Sequence, residues 1–162
     1  MMQDTASLLI AAVDPQHPQA LALLAEAAEE ARAVYPELFA ADAPAPGNAP
    51  LQAREIYLLA HRNGRAVGCG ALRRQDAFTG EVRRMFVTRR ARRDGVARAL
   101  LVHLEREAQV LGYRHLVLET GVRQQAAIAL YGGCGWRRIA AYGTYVGDPM
   151  SVCFGKTLAS RR

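Results

Sequence analysis

The feature that most constrains the fold is a pair of strand-like runs joined by Asn63-Gly64, within REIYLLAHRNGRAVGCGALRR (54–74). Asparagine followed by glycine readily adopts positive φ at both central positions of a tight two-residue turn. The runs on either side are apolar and contain residues that strands favour. The segment therefore predicts an antiparallel β-hairpin, around which the other elements have to be arranged.

Apolar spacing and turn residues predict the elements outside the hairpin. Short apolar runs bounded by turn-forming residues predict strands, whereas apolar residues at three- and four-residue spacing predict helices. The predicted strands are LLIAAV (8–13), EVRRMFV (81–87), HLVLET (115–120) and SVCFGKTL (151–158), and the predicted helices are 17–36, a segment between Gly95 and Gly112, and 124–135. The order β-α-β-β-β-α-β-α-β predicts an α/β fold with a mixed sheet.

Composition and charge narrow the class of protein. The 162 residues predict a single domain over 1–162, and the net charge of +6 favours anionic partners. The three cysteines form no CxxC pair, so neither a disulfide framework nor a metal site is expected. The stretch MMQDTASLLIAAVD lacks a basic region, and its apolar run is short for a signal peptide or a membrane span. We therefore expect a cytoplasmic protein with no membrane partner.

A basic loop begins the segment RRARRDGVARALL (89–101), which carries five arginines and whose Gly95 stands directly before a predicted helix. A helix N-terminus presents unpaired N–H groups and about half a positive charge, and it readily binds phosphate. Arginine side chains add charge-assisted hydrogen bonds. A phosphate site and a solvated loop that caps a helix both fit this pattern, because the GxGxxG and GxxxxGK[ST] signatures are absent.

Two motifs resemble those of the GNAT N-acetyltransferase superfamily. Arg92-Arg93-Asp94-Gly95-Val96-Ala97 fits [Q/R]-x-x-G-x-[G/A], its acyl-CoA loop, and AIALYGGCGW (127–136) resembles its closing motif A-x-x-L-Y-x-x-x-G-[FYW]. The resemblance covers roughly residues 54 to 158. It is to the small bacterial members of the superfamily that consist of a single domain. It implies a GNAT fold, which is a mixed, mostly antiparallel central sheet flanked by helices, with strands four and five (81–87 and 115–120) splayed apart.

The resemblance implies acetyl-CoA as cosubstrate, with no metal. It places the pantetheine between the splayed strands, against backbone groups of Met85, Phe86 and Val87. A free N–H near Val87 would polarise the thioester carbonyl, as oxyanion donors do. Gln124 stands where the superfamily often has asparagine, and its amide can still bind the pantetheine. The other implied acetyl-CoA contacts are Arg92, Arg93, Asp94, Gly95, Val96, Ala97, Arg98, Ala127 and Tyr131.

Tyr131 and Glu81 are the catalytic residues that the resemblance implies. In the superfamily, the hydroxyl at the position of Tyr131 approaches the CoA sulfur, where it can share or deliver a proton to the departing thiolate. Glu81 stands where some relatives carry a carboxylate that accepts the amine proton, often through water, and Glu119 on the neighbouring strand is the competing candidate. A core tyrosine and an edge carboxylate paired with Arg83 or Arg73 are the structural alternatives.

The acceptor is expected to be a primary amine of a small molecule. The C-terminal segment AYGTYVGDPMSVCFGK resembles a subgroup of small bacterial superfamily members. Its tyrosines, an aromatic residue of the proline-rich loop 37–50 and two central-strand arginines are candidates to bind the acceptor, and the arginines would suit an amino acid or a small acid. These candidate substrate-binding residues are Phe39, Arg73, Arg84, Tyr142 and Tyr145.

Two other functions stay open. A basic nucleic-acid-binding module would account for the charge and the arginine cluster. Aromatic residues do not interleave with the basic ones, however, and the helix after Gly95 has an apolar face that suits core packing, so no nucleic-acid partner is expected. A GNAT fold could also bind acyl-CoA as a non-catalytic sensor, against which Tyr131 and the intact loop argue. We expect a monomer or a homodimer.

Overall fold

A computed structural model of the chain describes residues 7–160, so the first six residues of the amino-terminal stretch considered above lie outside the described residues. The described residues form a seven-stranded sheet with helices on both faces. The elements are β1 Leu9–Ala12, α1 Pro18–Val34, β2 Ile56–Arg62, β3 Arg65–Arg74, β4 Thr79–Val87, α2 Val96–Val110, β5 His115–Gly121, α3 Gln125–Gly133, β6 Arg137–Ile139 and β7 Ser151–Thr157.

The strand order in the sheet is β1-β2-β3-β4-β5-β7-β6, and β4 with β5 is the parallel pair among otherwise antiparallel neighbours. This confirms the predicted mixed, mostly antiparallel sheet. The hairpin is also confirmed, with φ of 53° at Asn63 and 73° at Gly64. Strand β6 was not predicted, because its three residues are all exposed and show no alternating apolar pattern.

Strands β4 and β5 separate along their length. Their parallel register ends at the pair Glu81 and Val117. Beyond it, β4 stays paired with β3 as far as Val87, and β5 stays paired with β7 as far as Gly121. The two strands therefore part and leave a cleft between them, which confirms the expected splay.

Each face of the sheet buries its own apolar cluster. On one face, the α2 residues Leu100, Leu101 and Leu104 are fully buried against the sheet. On the opposite face, Ala20 and Leu23 of α1 pack with residues of β2 and β3. Burial of this apolar surface is the main force that holds both layers on the sheet. None of the described helices is long and apolar enough to cross a membrane.

A β-bulge interrupts β4 beside the cleft. Cys69 pairs with Phe86 and Ala71 with Arg83, so three steps along β4 lie opposite two steps along β3. The bulged residue is Arg84, with φ of 58°. Positive φ is uncommon for a residue with a side chain, and bulges often occur next to active sites, where they redirect side chains. The bulge therefore changes which β4 side chains face α1.

Candidate active site

A cavity of about 510 Å³ lies between the splayed ends of β4 and β5. Its walls come from α1, the loop after it, β4, the end of β5 and α3. The structure thus brings together residues that lie far apart in the sequence and were predicted separately for acetyl-CoA and for the acceptor. The predicted residues among its lining are Phe39, Arg84, Met85, Phe86, Gln124, Ala127 and Tyr131.

Tyr131 is buried at the cavity wall in α3. Its ring packs against Trp136, with centroids 6.1 Å apart, and against Phe154 at 5.7 Å. Burial raises the pKa of the Tyr131 hydroxyl to about 12, because the phenolate would be poorly solvated there. The hydroxyl is therefore protonated at neutral pH and is available as a hydrogen-bond donor to a group in the cavity.

The basic loop ends in an uncapped helix N-terminus. Gly95 has φ of 77° and occupies the cap position directly before α2. Because glycine has no side chain, it supplies no capping hydrogen bond to the N-terminus of the helix. A Cβ placed on Gly95 would meet no described atom within 4 Å, so the space beside it is open. Arg93 and Arg98 are exposed on either side of this position. The arrangement suits a phosphate group, which is one of the two interpretations that the sequence left open.

Arg92 is held by other parts of the protein. Its Nε donates to the Val87 carbonyl at 3.0 Å, and its Nη2 donates to the Glu30 carboxylate at 2.6 Å. The guanidinium also lies over the Phe86 ring, 5.6 Å from the centroid. Its side chain therefore ties α1 to β4, and a side-chain contact to acetyl-CoA would require it to leave these partners.

Two further residues of the loop also contact protein groups. The Asp94 carboxylate accepts a 3.4 Å hydrogen bond from Arg62. Val96 is buried in the core under α2, so only its backbone is in a position to bind a ligand. The predicted contacts of this loop with acetyl-CoA are therefore best supplied by backbone N–H groups and by exposed arginines.

The two candidate carboxylates occupy different positions. Glu119 lines the cavity and accepts a 3.3 Å hydrogen bond from the Ser151 hydroxyl, and burial raises the pKa of its carboxyl. Glu81 is buried, and its carboxylate accepts hydrogen bonds from the Tyr142 hydroxyl at 2.6 Å and from Arg83 at 3.4 Å. Glu119 therefore reaches the cavity directly, whereas Glu81 is covered by its two partners.

The predicted tyrosines of the C-terminal segment lie around Glu81. Tyr142 precedes a short 3₁₀ turn between β6 and β7, and Tyr145 is its last residue; their rings meet edge to face at 5.4 Å. Burial, together with the hydrogen bond to Glu81, raises the pKa of the Tyr142 hydroxyl. The turn therefore closes the sheet surface over this carboxylate.

The two arginines that were predicted to bind the acceptor lie in different places. Arg73 donates to the Glu55 carboxylate at 2.9 Å and to two backbone carbonyls of the segment before β2, and it is not among the described residues that line the cavity. Arg84 does line it, with its Nε on the Asn48 side-chain oxygen at 3.1 Å and Nη2 on the Gly47 carbonyl at 2.9 Å. The structure thus brings Arg84, but not Arg73, to the cavity.

Sequence reasoning missed several lining residues. Arg83 and Tyr57 line the cavity, and neither was predicted to bind a ligand. Strand alternation would place Arg83 and Arg84 on opposite faces of the sheet, so only the bulge brings them together. No glycine or proline in EVRRMFV indicates that bulge. Tyr57 lies in an ordinary apolar strand pattern, which predicts a core residue.

Comparison with known proteins agrees with this geometry. A sequence profile of the Acetyltransferase (GNAT) family matches residues 20–136. The IAA acetyltransferase of Azospirillum brasilense is 43% identical over 103 residues, which span 63% of this chain and 67% of that protein. The chain matches about two thirds of the length of such curated relatives, at 67% and 62% for two of them.

Solved structures extend the likeness over nearly the whole chain. One protein, assigned as an acyl-CoA N-acyltransferase from Klebsiella pneumoniae, is 31% identical with a TM-score of 0.76, covering 94% of this chain and 98% of that one. A GNAT family acetyltransferase from Elizabethkingia anophelis, solved with acetyl-CoA bound, has a TM-score of 0.67 at 19% identity, with 93% and 98% covered. The second similarity concerns the fold. With the profile spanning most of the chain, the protein belongs to the GNAT acetyltransferase family.

Proposed function

We propose that this protein transfers an acetyl group from acetyl-CoA directly to the primary amine of a small molecule. The observation that carries the proposal is the cavity between the splayed ends of β4 and β5, which has Tyr131 in its wall. The relative named IAA acetyltransferase and the neighbour with acetyl-CoA bound support the same donor and reaction type.

The donor side follows from the basic loop and the cleft. The start of α2 beside Gly95, with Arg93 and Arg98, would bind the phosphates of acetyl-CoA. The pantetheine would lie in the cleft against Met85 and Phe86, which line it. A backbone N–H near Val87 would polarise the thioester carbonyl in this proposal.

Tyr131 would stabilise the leaving group. As the amine nitrogen bonds to the thioester carbon, the carbon–sulfur bond breaks and negative charge develops on sulfur. A CoA-type thiol has a pKa of about 8.5, well below that of the buried Tyr131 hydroxyl at about 12. The phenol is therefore a better hydrogen-bond donor to the thiolate than a source of a fully transferred proton.

A carboxylate would accept the proton that the amine loses. Glu119 lines the cavity, and burial raises the pKa of its carboxyl toward the range where a general base works efficiently at neutral pH. Glu81, the first candidate from the sequence, would act at one remove, through the Tyr142 hydroxyl or a water molecule. We propose Glu119 as the group that contacts the amine.

The test is release of free CoA thiol from acetyl-CoA in the presence of a panel of small primary amines, with the acetylated product identified by mass spectrometry. We expect amine-dependent release that exceeds hydrolysis of acetyl-CoA alone. Binding of acetyl-CoA without release for any amine would overturn the proposal and favour the non-catalytic sensor.

A further inference from the structure

We propose that the acceptor carries a carboxylate close to its amine, as an amino acid does, and that Arg83 and Arg84 bind this carboxylate. The inference deepens the proposed acetyl transfer and rests on it. It depends on two observations: the side-chain directions imposed by the bulge in β4, and the incomplete pairing of two cations at the cavity wall.

The bulge presents both arginines on the α1 side of the sheet. Val82, Met85 and Val87 pack into the core on the α2 side. In a regular strand, two residues on the same face are separated by one or three others. Val82 and Met85 are separated by two, Arg83 and Arg84, so both arginines face the α1 side. Both line the same cavity, together with residues of α1. Adjacent guanidinium groups in one cavity suit the planar, two-oxygen shape of a carboxylate.

Both guanidinium groups keep donors for a ligand. The Arg83 side chain is 47% exposed and has a single ion pair among the described residues, at 3.4 Å to Glu81. Arg84 uses Nε and Nη2 for Asn48 and Gly47. A guanidinium has five N–H donors, so each arginine retains N–H groups beyond these contacts. The bonds to the loop also hold Arg84 in place before a ligand binds.

Tyr57 supports the same wall of the cavity from within the core. Its side chain is fully buried, and its hydroxyl lies within hydrogen-bonding reach of the Asn48 and Cys69 side chains. The charge of Arg84 also acts on this hydroxyl. Because Asn48 accepts a hydrogen bond from Arg84, these contacts help to fix the position of Arg84.

Opposite charges stand next to each other in the cavity. Arg83 pairs with Glu81, and its charge also acts on Glu119, the carboxylate proposed to contact the amine. An amino acid has the complementary arrangement, with ammonium and carboxylate on one carbon. An amine without a carboxylate would displace water from the two arginines without supplying an acceptor for their remaining N–H groups, which is unfavourable for partly desolvated cations.

The test compares matched acceptors. L-Phenylalanine with phenethylamine, and L-leucine with isoamylamine, differ only by the carboxylate. We expect kcat/KM to be about 10- to 100-fold higher for the amino acid of an accepted pair, the range of a charged hydrogen bond. Arg83→Gln should remove this preference mainly by raising KM for the amino acid, whereas Arg83→Lys should retain part of it. Arg106→Gln, an exposed position on α2, is the matched control.

The outcomes separate this inference from the proposed function. Equal use of amines and amino acids, or a preference that survives Arg83→Gln, would overturn carboxylate recognition and leave acetyl transfer standing. If no amine of any kind causes thiol release, the proposed function is overturned, and this inference is overturned with it. Arg84→Gln, checked for folding by thermal unfolding because Arg84 holds residues 47 and 48, should show the same loss of preference as Arg83→Gln.

Discussion

Tyr131 is the side chain whose role is most sharply testable, because Tyr131→Phe keeps the ring that packs on Trp136 and Phe154 and removes only the hydroxyl. We expect kcat to fall by about 10²–10³-fold, the usual cost of one donor to a developing anion. Binding of CoA, measured by calorimetry, should be nearly unchanged. An unaltered kcat in a step limited by chemistry would make Tyr131 a core residue only.

Glu119 and Glu81 are distinguished by how the activity lost on substitution of each depends on pH. If Glu119 accepts the amine proton, Glu119→Gln should lower kcat/KM most at pH values just above the pKa of Glu119, where the carboxylate is ionised but free amine is scarce. The loss should shrink as pH approaches the pKa of the acceptor. Glu81→Gln should give a smaller loss that does not vary with pH. The measurement is kcat/KM against pH for both variants, and the reverse pattern would return the role of base to Glu81.

The partial burial of Glu119 also predicts a pH-dependent stability difference. Burial raises the pKa of its carboxyl in the folded state, so the folded protein binds this proton more tightly than the unfolded chain. Stability is therefore lost as pH rises from the ordinary glutamate pKa, about 4.3, through the raised value. Glutamine does not ionise, so Glu119→Gln does not lose stability in this way. Its Tm relative to the unmodified protein should therefore increase between about pH 4 and pH 7.

Thermal unfolding at these two pH values checks the prediction, with Glu26→Gln, an exposed position on α1, as the control. The Tm difference for Glu26→Gln should stay constant. A difference for Glu119→Gln that stays constant or decreases over the same pH range would contradict the raised pKa of this carboxyl.

The loop before α2 can be tested through its glycine. Gly95 and Gly64 both have φ above 70° and open space at the Cβ position, but Gly64 lies in the distant hairpin turn. Valine at either position should destabilise the fold by about 1–2 kcal/mol, because its branched side chain disfavours positive φ. Only Gly95→Val should also lose the increase in Tm that acetyl-CoA produces. Equal responses of both variants to acetyl-CoA would show that the loop does not bind the phosphates.

The whole chain should respond to acetyl-CoA as a ligand of the folded state. Binding to the folded protein alone stabilises it by about 2.7 kcal/mol when free ligand is 100 times Kd. Thermal unfolding should therefore show a Tm that rises with acetyl-CoA concentration. A nucleic-acid titration at two salt concentrations is the comparison, since phosphate-backbone binding would weaken steeply with salt. An unchanged Tm at millimolar acetyl-CoA would contradict the donor assignment.

The elements of this fold were largely predictable because their signals are local. Asn63-Gly64 takes positive φ at both positions because of its own chemistry, and the apolar spacing around Leu100 and Leu104 marks a buried helical face before any partner is known. The motif around Gly95 and the motif around Tyr131 are each contiguous in sequence, so they could be recognised without the structure. The three-residue edge strand β6 has no such pattern, since none of its residues is buried.

The division of roles within the site was decided by tertiary contacts. Glu119, rather than Glu81, lines the cavity because Tyr142, sixty-one residues away from Glu81, covers that carboxylate. Arg73 is held by Glu55, while Arg84 reaches the cavity through a bulge that depends on its register with β3. These outcomes depend on which distant groups compete for the same side chain. Local pattern specifies the elements, whereas competition between distant partners specifies which side chains reach the cavity.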